Sequence, residues 1–150
     1  MGYREARIVC AGLAVAMLAM GCVQQSPGEP QHPPAQPSLQ DSSWRLEALG
    51  PAGDLRRALT ATDVTLAFTG DARITGNASC NTYFGGYLSG EDGTLSVTGL
   101  GSTKMFCHEP GVMQQEQDFL NALQGAKRYE VVDGLLHITG GDVEMVLSPA

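Results

Sequence analysis

Near its C-terminus the chain reads "YEVVDGLLHITGGDVEMVLS", from Tyr129 to Ser148. Apolar residues recur at alternate positions, and Asp133-Gly134 and Gly140-Gly141-Asp142 interrupt them. Alternation with a period of two places one set of side chains on one face of an extended strand. Turn residues at this spacing leave each run too short for a helix and long enough for a strand. The segment is therefore expected to form three antiparallel strands in a meander, which needs an apolar surface to cover its inward face. The same pattern runs upstream. "WRLEAL", Trp44 to Leu49, alternates. "VTLAF" and "ARITG" flank "TGD" as a hairpin with a Gly-Asp turn. "CNTYFGGYLS" places Tyr83 and Tyr87 on one strand face, "GEDG" turns the chain, and "TLSVTGL" resumes it. Gly76, Gly85 and Gly86 are expected at bends or bulges.

One segment has the other period. In "GVMQQEQDFLNALQG", Val112, Met113, Phe119, Leu120 and Leu123 share a helical face. Pro110 lies just ahead, and Gly125 stands where a helix ends in a left-handed residue. The apolar face has a sheet to cover, which leaves Met113 no cofactor role. The fold class expected is α+β: a curved antiparallel sheet forming a small incomplete barrel, closed by one helix. Trp44, Phe68, Tyr83, Tyr87, Met105 and Phe119 are expected in its core or lining its interior.

The N-terminus carries an address. "MGYREARIVCAGLAVAMLAMGC" has a basic start at Arg4 and Arg7, then an apolar stretch from Ile8 to Met20. Spanning a bilayer takes about 20 apolar residues, so this stretch is short for an anchor and suits a secretory signal over residues 1–21. Its end, Leu18-Ala19-Met20-Gly21-Cys22, resembles a bacterial lipobox, which would make Cys22 a lipidated mature N-terminus. Val23 follows in place of Asp, which by the sorting convention for such lipoproteins points to the outer membrane. Cleavage and release into the periplasm is the alternative. Residues 22–43 hold five of the eight prolines and many glutamines and serines. That composition favours extended, solvated backbone. The expected organisation is a signal, a lipid-anchored Pro/Gln-rich tether containing His32, and one domain over residues 44–149.

The formal net charge is −7. Losing Arg4, Glu5 and Arg7 with the signal makes the mature form more acidic by one charge. Arg56-Arg57 and Lys127-Arg128 are isolated pairs, and nucleic-acid binding needs a concentrated basic face. No nucleic-acid partner is expected.

"STKMFCHEP", Ser102 to Pro110, places Cys107 beside His108 and Glu109. Three chemistries compete for it. With Cys10 in the signal and Cys22 lipidated, Cys80 and Cys107 remain in an oxidising compartment, where two cysteines tend to pair. Such a bridge would contribute roughly 3–4 kcal/mol on a chain-entropy account. A thiol nucleophile needs a base that reaches it through space, and sequence neighbours on a strand point apart. His137, the remaining candidate base, lies among apolar residues of the meander. Cys80, Cys107 and His108 could offer three zinc ligands, without the paired C-x-x-C spacing of structural sites. No metal and no cofactor are expected. Asn81, beside a Gly-rich bend, is expected to bond local backbone.

"RITGNASCNTYFGGY", "LGSTKMFC" and "QEQDFLNALQGAKRYEVVDGLLHI" together resemble the META/HslJ-like domain, over Trp44 to Leu147. The residues that carry the resemblance are Trp44, Gly76, Cys80, Asn81, Gly85, Tyr87, Thr103, Met105, Cys107, Glu116, Phe119, Leu120, Tyr129, Gly134 and Leu136. Ser79 departs from it, where a glycine is usual. The resemblance implies a bacterial envelope protein, often a stress-associated lipoprotein, without established catalysis. It implies structural roles for Trp44, Gly76, Asn81, Gly85, Thr103, Met105, Glu116 and Phe119. The fold is similar to that of lipid-binding secretin pilot lipoproteins, an analogy that leaves function open.

The function expected is a non-catalytic envelope lipoprotein. It would act as a binding or assembly module, held to the membrane by its lipid, that takes an apolar ligand such as a lipid, or an envelope protein. A structural or stress-protective factor without a dedicated ligand is the alternative, and a hydrolase the third reading.

Overall fold

The structure is a computed structural model and describes residues 35–150. The signal, the lipobox with Cys22, and the tether as far as Pro34 lie outside the described residues. Nine strands and one helix follow in chain order: β1 Ser42–Pro51, β2 Arg56–Arg57, β3 Thr65–Thr69, β4 Arg73–Asn77, β5 Thr82–Ser89, β6 Leu95–Ser102, α1 Val112–Gln124, β7 Arg128–Val132, β8 Leu135–Gly140 and β9 Val143–Pro149. The strands form one antiparallel sheet ordered β6-β5-β4-β3-β1-β9-β8-β7, with β2 paired to β1. The long β1 joins two meanders. It pairs with β3 on one side and with β9 on the other, where the register shifts between Leu46 and Ala48.

The sheet curls until its two ends nearly meet. Thr94 bridges Arg128, Leu95 N–H donates to Lys127 O at 2.9 Å, and Tyr129 N–H donates to Gly93 O at 2.8 Å. This is the incomplete barrel with its one closing helix. Alternation fills it: Leu46, Leu66, Phe68, Ile74, Tyr83, Leu136, Ile138, Met145 and Leu147 all point inward and are buried. Phe119 and Leu123 of α1 are buried among them, as the period of 3.6 requires. Burial of this apolar surface is the dominant favourable term in forming the sheet.

Two expectations about glycines need correction. Gly76 is no bulge. It sits in regular register opposite Tyr83, and a Cβ there would lie 2.0 Å from Thr65 O. Its requirement is close backbone approach. Gly85 does lie at a bulge: the register shifts between Phe84 and Gly86, and the extra residue is on β6, where Gly99 and Leu100 together face Gly85; Gly99 has φ +60°. Gly125 is right-handed, with φ −82° and ψ −4°, and its N–H donates to Asn121 O at 2.9 Å, so the helix ends without a left-handed residue there.

The boundary drawn at Trp44 also moves. Leu39 is 1% exposed, Tyr129 Oη donates to Pro37 O at 3.0 Å, Gln36 N–H donates to Glu91 O at 2.8 Å, and Val131 N–H donates to Gln36 Oε1 at 3.0 Å. Residues 36–39 therefore form a strap across the seam where β7 leaves β6. Their composition suggested solvated tether, but one leucine and a few backbone groups suffice to dock an extended segment.

Candidate functional site

Most of the motif residues converge where the β4–β5 connection meets the N-terminal turn of α1. Cys80 and Asn81 lie just before β5, and Thr103, Met105 and Cys107 in the loop after β6. Glu116 is on the inward face of α1, one turn ahead of Phe119. The helix period places both on one side, so packing of Phe119 against Tyr83, with ring centroids 5.5 Å apart, carries Glu116 into the interior.

Glu116 is 6% exposed. Its Oε2 accepts the backbone N–H groups of Cys80 at 3.0 Å and Asn81 at 2.7 Å, and its Oε1 accepts Asn81 Nδ2 at 2.7 Å. A buried carboxylate is tolerable when donors surround it. Asn81, 2% exposed, uses the rest of its amide on the loop. Its Oδ1 accepts Thr103 Oγ1 and Met105 N–H, both at 2.7 Å, and its Nδ2 donates to Met105 O at 3.0 Å. The expectation that Asn81 bonds local backbone is corrected: its amide bonds the backbone of Met105, 24 residues away, and Glu116 on α1, because the loop after β6 and the helix both pack against it. The disulfide Cys80–Cys107 spans the same two segments, with Cα atoms 5.9 Å apart.

Ser79, which replaces the usual glycine, has φ 128°, a region L-residues seldom adopt. Asn77 Oδ1 accepts its N–H at 2.8 Å, and Gln115 Nε2 donates to its Oγ at 2.9 Å. Trp44 is in the core, with Nε1–H donating to Ser42 Oγ at 2.8 Å. Gly85 faces inward between Ile74 and Leu100.

The outcome of these bonds is a fixed loop with bare apolar side chains. Thr103, Met105 and Cys107 are pinned at their backbones or sulfur, yet Met105 is 58% and Phe106 69% exposed. The expectation of Met105 in the core is corrected: the pinned peptide, with both N–H and C=O turned to Asn81, sends the side chain outward. Phe84 is 54% exposed on β5, its ring lying over Gly101.

The two described histidines lie on different elements, His108 in the loop after β6 and His137 on β8. The His108 ring meets Phe106 edge-on, with centroids 5.1 Å apart. His137 is on the outer face of β8, and its Nδ1 lies 2.9 Å from Glu144 Oε1 on β9, in a groove with Arg128 and Thr139. Sequence reasoning missed Glu144. Its signal was the Gly140-Gly141 turn, which folds β9 back beside His137. Cys107, held in the disulfide, has no thiol to activate. Among the described residues no three His, Cys, Asp or Glu side chains group as a metal site.

Burial raises the phenol pKa values of Tyr83, Tyr87 and Tyr129; for Tyr87, Asp41 and Asp71 add to the effect, and for Tyr129, Asp92 and Glu91 do. Tyr83 is the deepest, its Oη donating to Thr65 O at 2.8 Å.

A family model described as the META domain matches residues 37–149, seven residues earlier than Trp44 and in step with the buried strap. An NMR structure of a protein from Burkholderia xenovorans is similar at 26% identity, with a TM-score of 0.64, covering 83% of this chain and 99% of that one. A second NMR structure aligns at 20% identity and TM-score 0.58, covering 73% and 89%. A crystal structure of a DUF4847 family protein from Bacteroides vulgatus ATCC 8482 aligns at 14% identity and TM-score 0.51, covering 72% and 92%. The latter two show the fold alone. No curated protein matches the chain.

Proposed function

The chain belongs to the META domain family, and from that premise we propose that it is a non-catalytic envelope lipoprotein, lipidated at Cys22, whose domain binds an envelope protein from the periplasmic face of the outer membrane. The observation that carries this reading is the presentation of Met105 and Phe106. A buried, fully bonded pair, Asn81 and Glu116, and a disulfide all act on the loop whose large apolar side chains face solvent. Apolar side chains held rigidly in water give a partner contact area at low ordering cost. Side chains fill the barrel interior, which favours a protein partner over a lipid held inside.

The test is photo-crosslinking in cells from a probe at position 106, with a probe at exposed Asp133 as the control. Adducts specific to position 106 are expected. Identical patterns from both positions would remove the reading. The filled interior also favours the second reading, a structural or stress-protective factor with no dedicated ligand. That reading expects deletion to sensitise cells to envelope stress without any crosslinked partner.

A further inference from the structure

Among the described residues, the outer edge of β6 has no strand paired along its length. β6 is the terminal strand, and only its start is bridged to β7, at Thr94 and Leu95. Leu95 N–H points outward to Lys127 O, so by the alternation of an antiparallel ladder Val97 presents its backbone groups on that same edge. At the far end Thr103 N–H points back to Thr82 O at 3.0 Å, which turns the N–H of Ser102 outward. Between them the bulge at Gly99 and Leu100 twists the strand. Such a bulge discourages long, flat edge-to-edge pairing and leaves a short stretch open.

Alongside this edge runs α1. A groove of about 330 Å³ separates them, lined by Leu100, Ser102, Lys104, Gln117, Leu120 and Asn121 among others. The helix flank is uncharged here, so Lys104 sets the sign of the groove. Among the described residues no carboxylate lies within salt-bridge distance of Lys104. An edge strand beside a helix, with unpaired backbone groups and one unpaired cation at its end, matches an extended chain with an anion at the corresponding end.

We propose that the open edge of β6, from Val97 to Ser102, takes up an extended segment of a partner protein as an added strand in the groove against α1, with a carboxylate side chain of that segment at Lys104. Antiparallel addition is the geometry the rest of the sheet uses, and it puts the acidic residue near the N-terminal end of the added strand. The proposal rests on the binding-module reading and gives its partner a chemistry. Met105 and Phe106 follow Lys104 directly, so the added strand would lead onto them.

The test is selection of a phage-displayed randomised heptapeptide library against the purified protein. Enriched peptides should combine β-branched residues with an Asp or Glu. Ser102→Pro, which removes an outward N–H, should abolish their binding, and Lys104→Gln should weaken it about ten-fold. Amide NMR shifts on adding a selected peptide should centre on Val97 to Ser102. Lys104→Gln is an exposed change and keeps the test valid if Ser102→Pro fails to fold. Peptides that bind both variants as tightly as the parent would overturn the edge proposal. If those peptides instead lose binding to Phe106→Ser, the edge proposal falls while the binding-module reading stands. An empty selection also overturns the edge proposal, and crosslinking at position 106 then decides the broader reading separately.

Discussion

At the scale of single residues, Glu116 and Asn81 carry the arrangement. Both Glu116 oxygens face donors, so a glutamine cannot substitute: its NH2 group would oppose either Asn81 Nδ2 or two backbone N–H groups. Glu116→Gln is therefore expected to cost about 2 kcal/mol or more, close to Glu116→Ala, since an unsatisfied buried donor loses its full desolvation free energy. Urea unfolding followed by Trp44 fluorescence measures this, and a Gln variant within about 0.5 kcal/mol of the parent would refute it. The buried phenols set an alkaline limit. Their folded pKa values lie above the unfolded value of about 10, so their contribution is fully present below pH 10 and is lost as pH rises through that range. Stability should begin to fall as pH passes about 10, approaching roughly 1.4 kcal/mol per pH unit for each tyrosine still protonated when folded. Tyr83→Phe should flatten that slope in a pH series of unfolding curves. The resemblance placed Asn81 and Glu116 separately among structural residues, and their contact was not legible, because residues 35 positions apart meet only through the docking of α1. Met105 was misread because hydrophobicity reports what a side chain prefers, while the bonds to its own peptide decide where it points.

At the scale of elements, close approach of backbones fixes how strands and helix meet. A Cβ on Gly76 would sit 2.0 Å from Thr65 O, and one on Gly140 would sit 2.0 Å from Gly125 O. In both cases the obstacle is backbone, which cannot turn aside as a side chain does. Gly76→Ala must push β3 from β4, and Gly140→Ala must lift the end of α1 from β8. Each is expected to cost about 3 kcal/mol or more, or to prevent folding. Gly134→Ala, in an open turn at φ +81°, should cost only about 1 kcal/mol. Thermal melts of the three variants give the ranking, and equal costs would show that local conformation outweighs approach. The elements themselves were largely legible. Period two marked both meanders, and period 3.6 marked α1 from Val112 to Leu123, because each signal follows from a face that must be buried. The two-residue β2 carries no period, and the β6 bulge depends on a partner strand, so neither could be read along the chain. Gly76 was misassigned for the same reason: a glycine announces a constraint without saying whether it is a bend or a neighbour.

At the scale of the whole molecule, a segment that sequence alone assigns to the tether crosses the seam of the barrel. A stretch of Pro, Gln and Ser reads as solvated on composition, and the single Leu39 is too little apolar signal to say otherwise. Yet Leu39 is buried in the core cluster, and Gln36 and Pro37 bond across the seam to Glu91, Val131 and Tyr129. If the chain is anchored at Cys22, this strap is also the first part of the domain to meet any pull on the tether. Its removal should loosen one side of the barrel before the rest. Leu39→Ala leaves a cavity at a fully enclosed site and is expected to cost about 2–4 kcal/mol. A chain beginning at Trp44 loses the seam bonds as well and should be less stable still. Hydrogen exchange separates local from global effects. In both variants the Val131 amide, which donates to Gln36, should exchange faster than the parent by more than the global loss explains. The Ile138 amide, inside the β7-β8-β9 meander, should follow global stability alone. Equal acceleration at both positions would mean that the strap is one more core contact and not the lock of the seam.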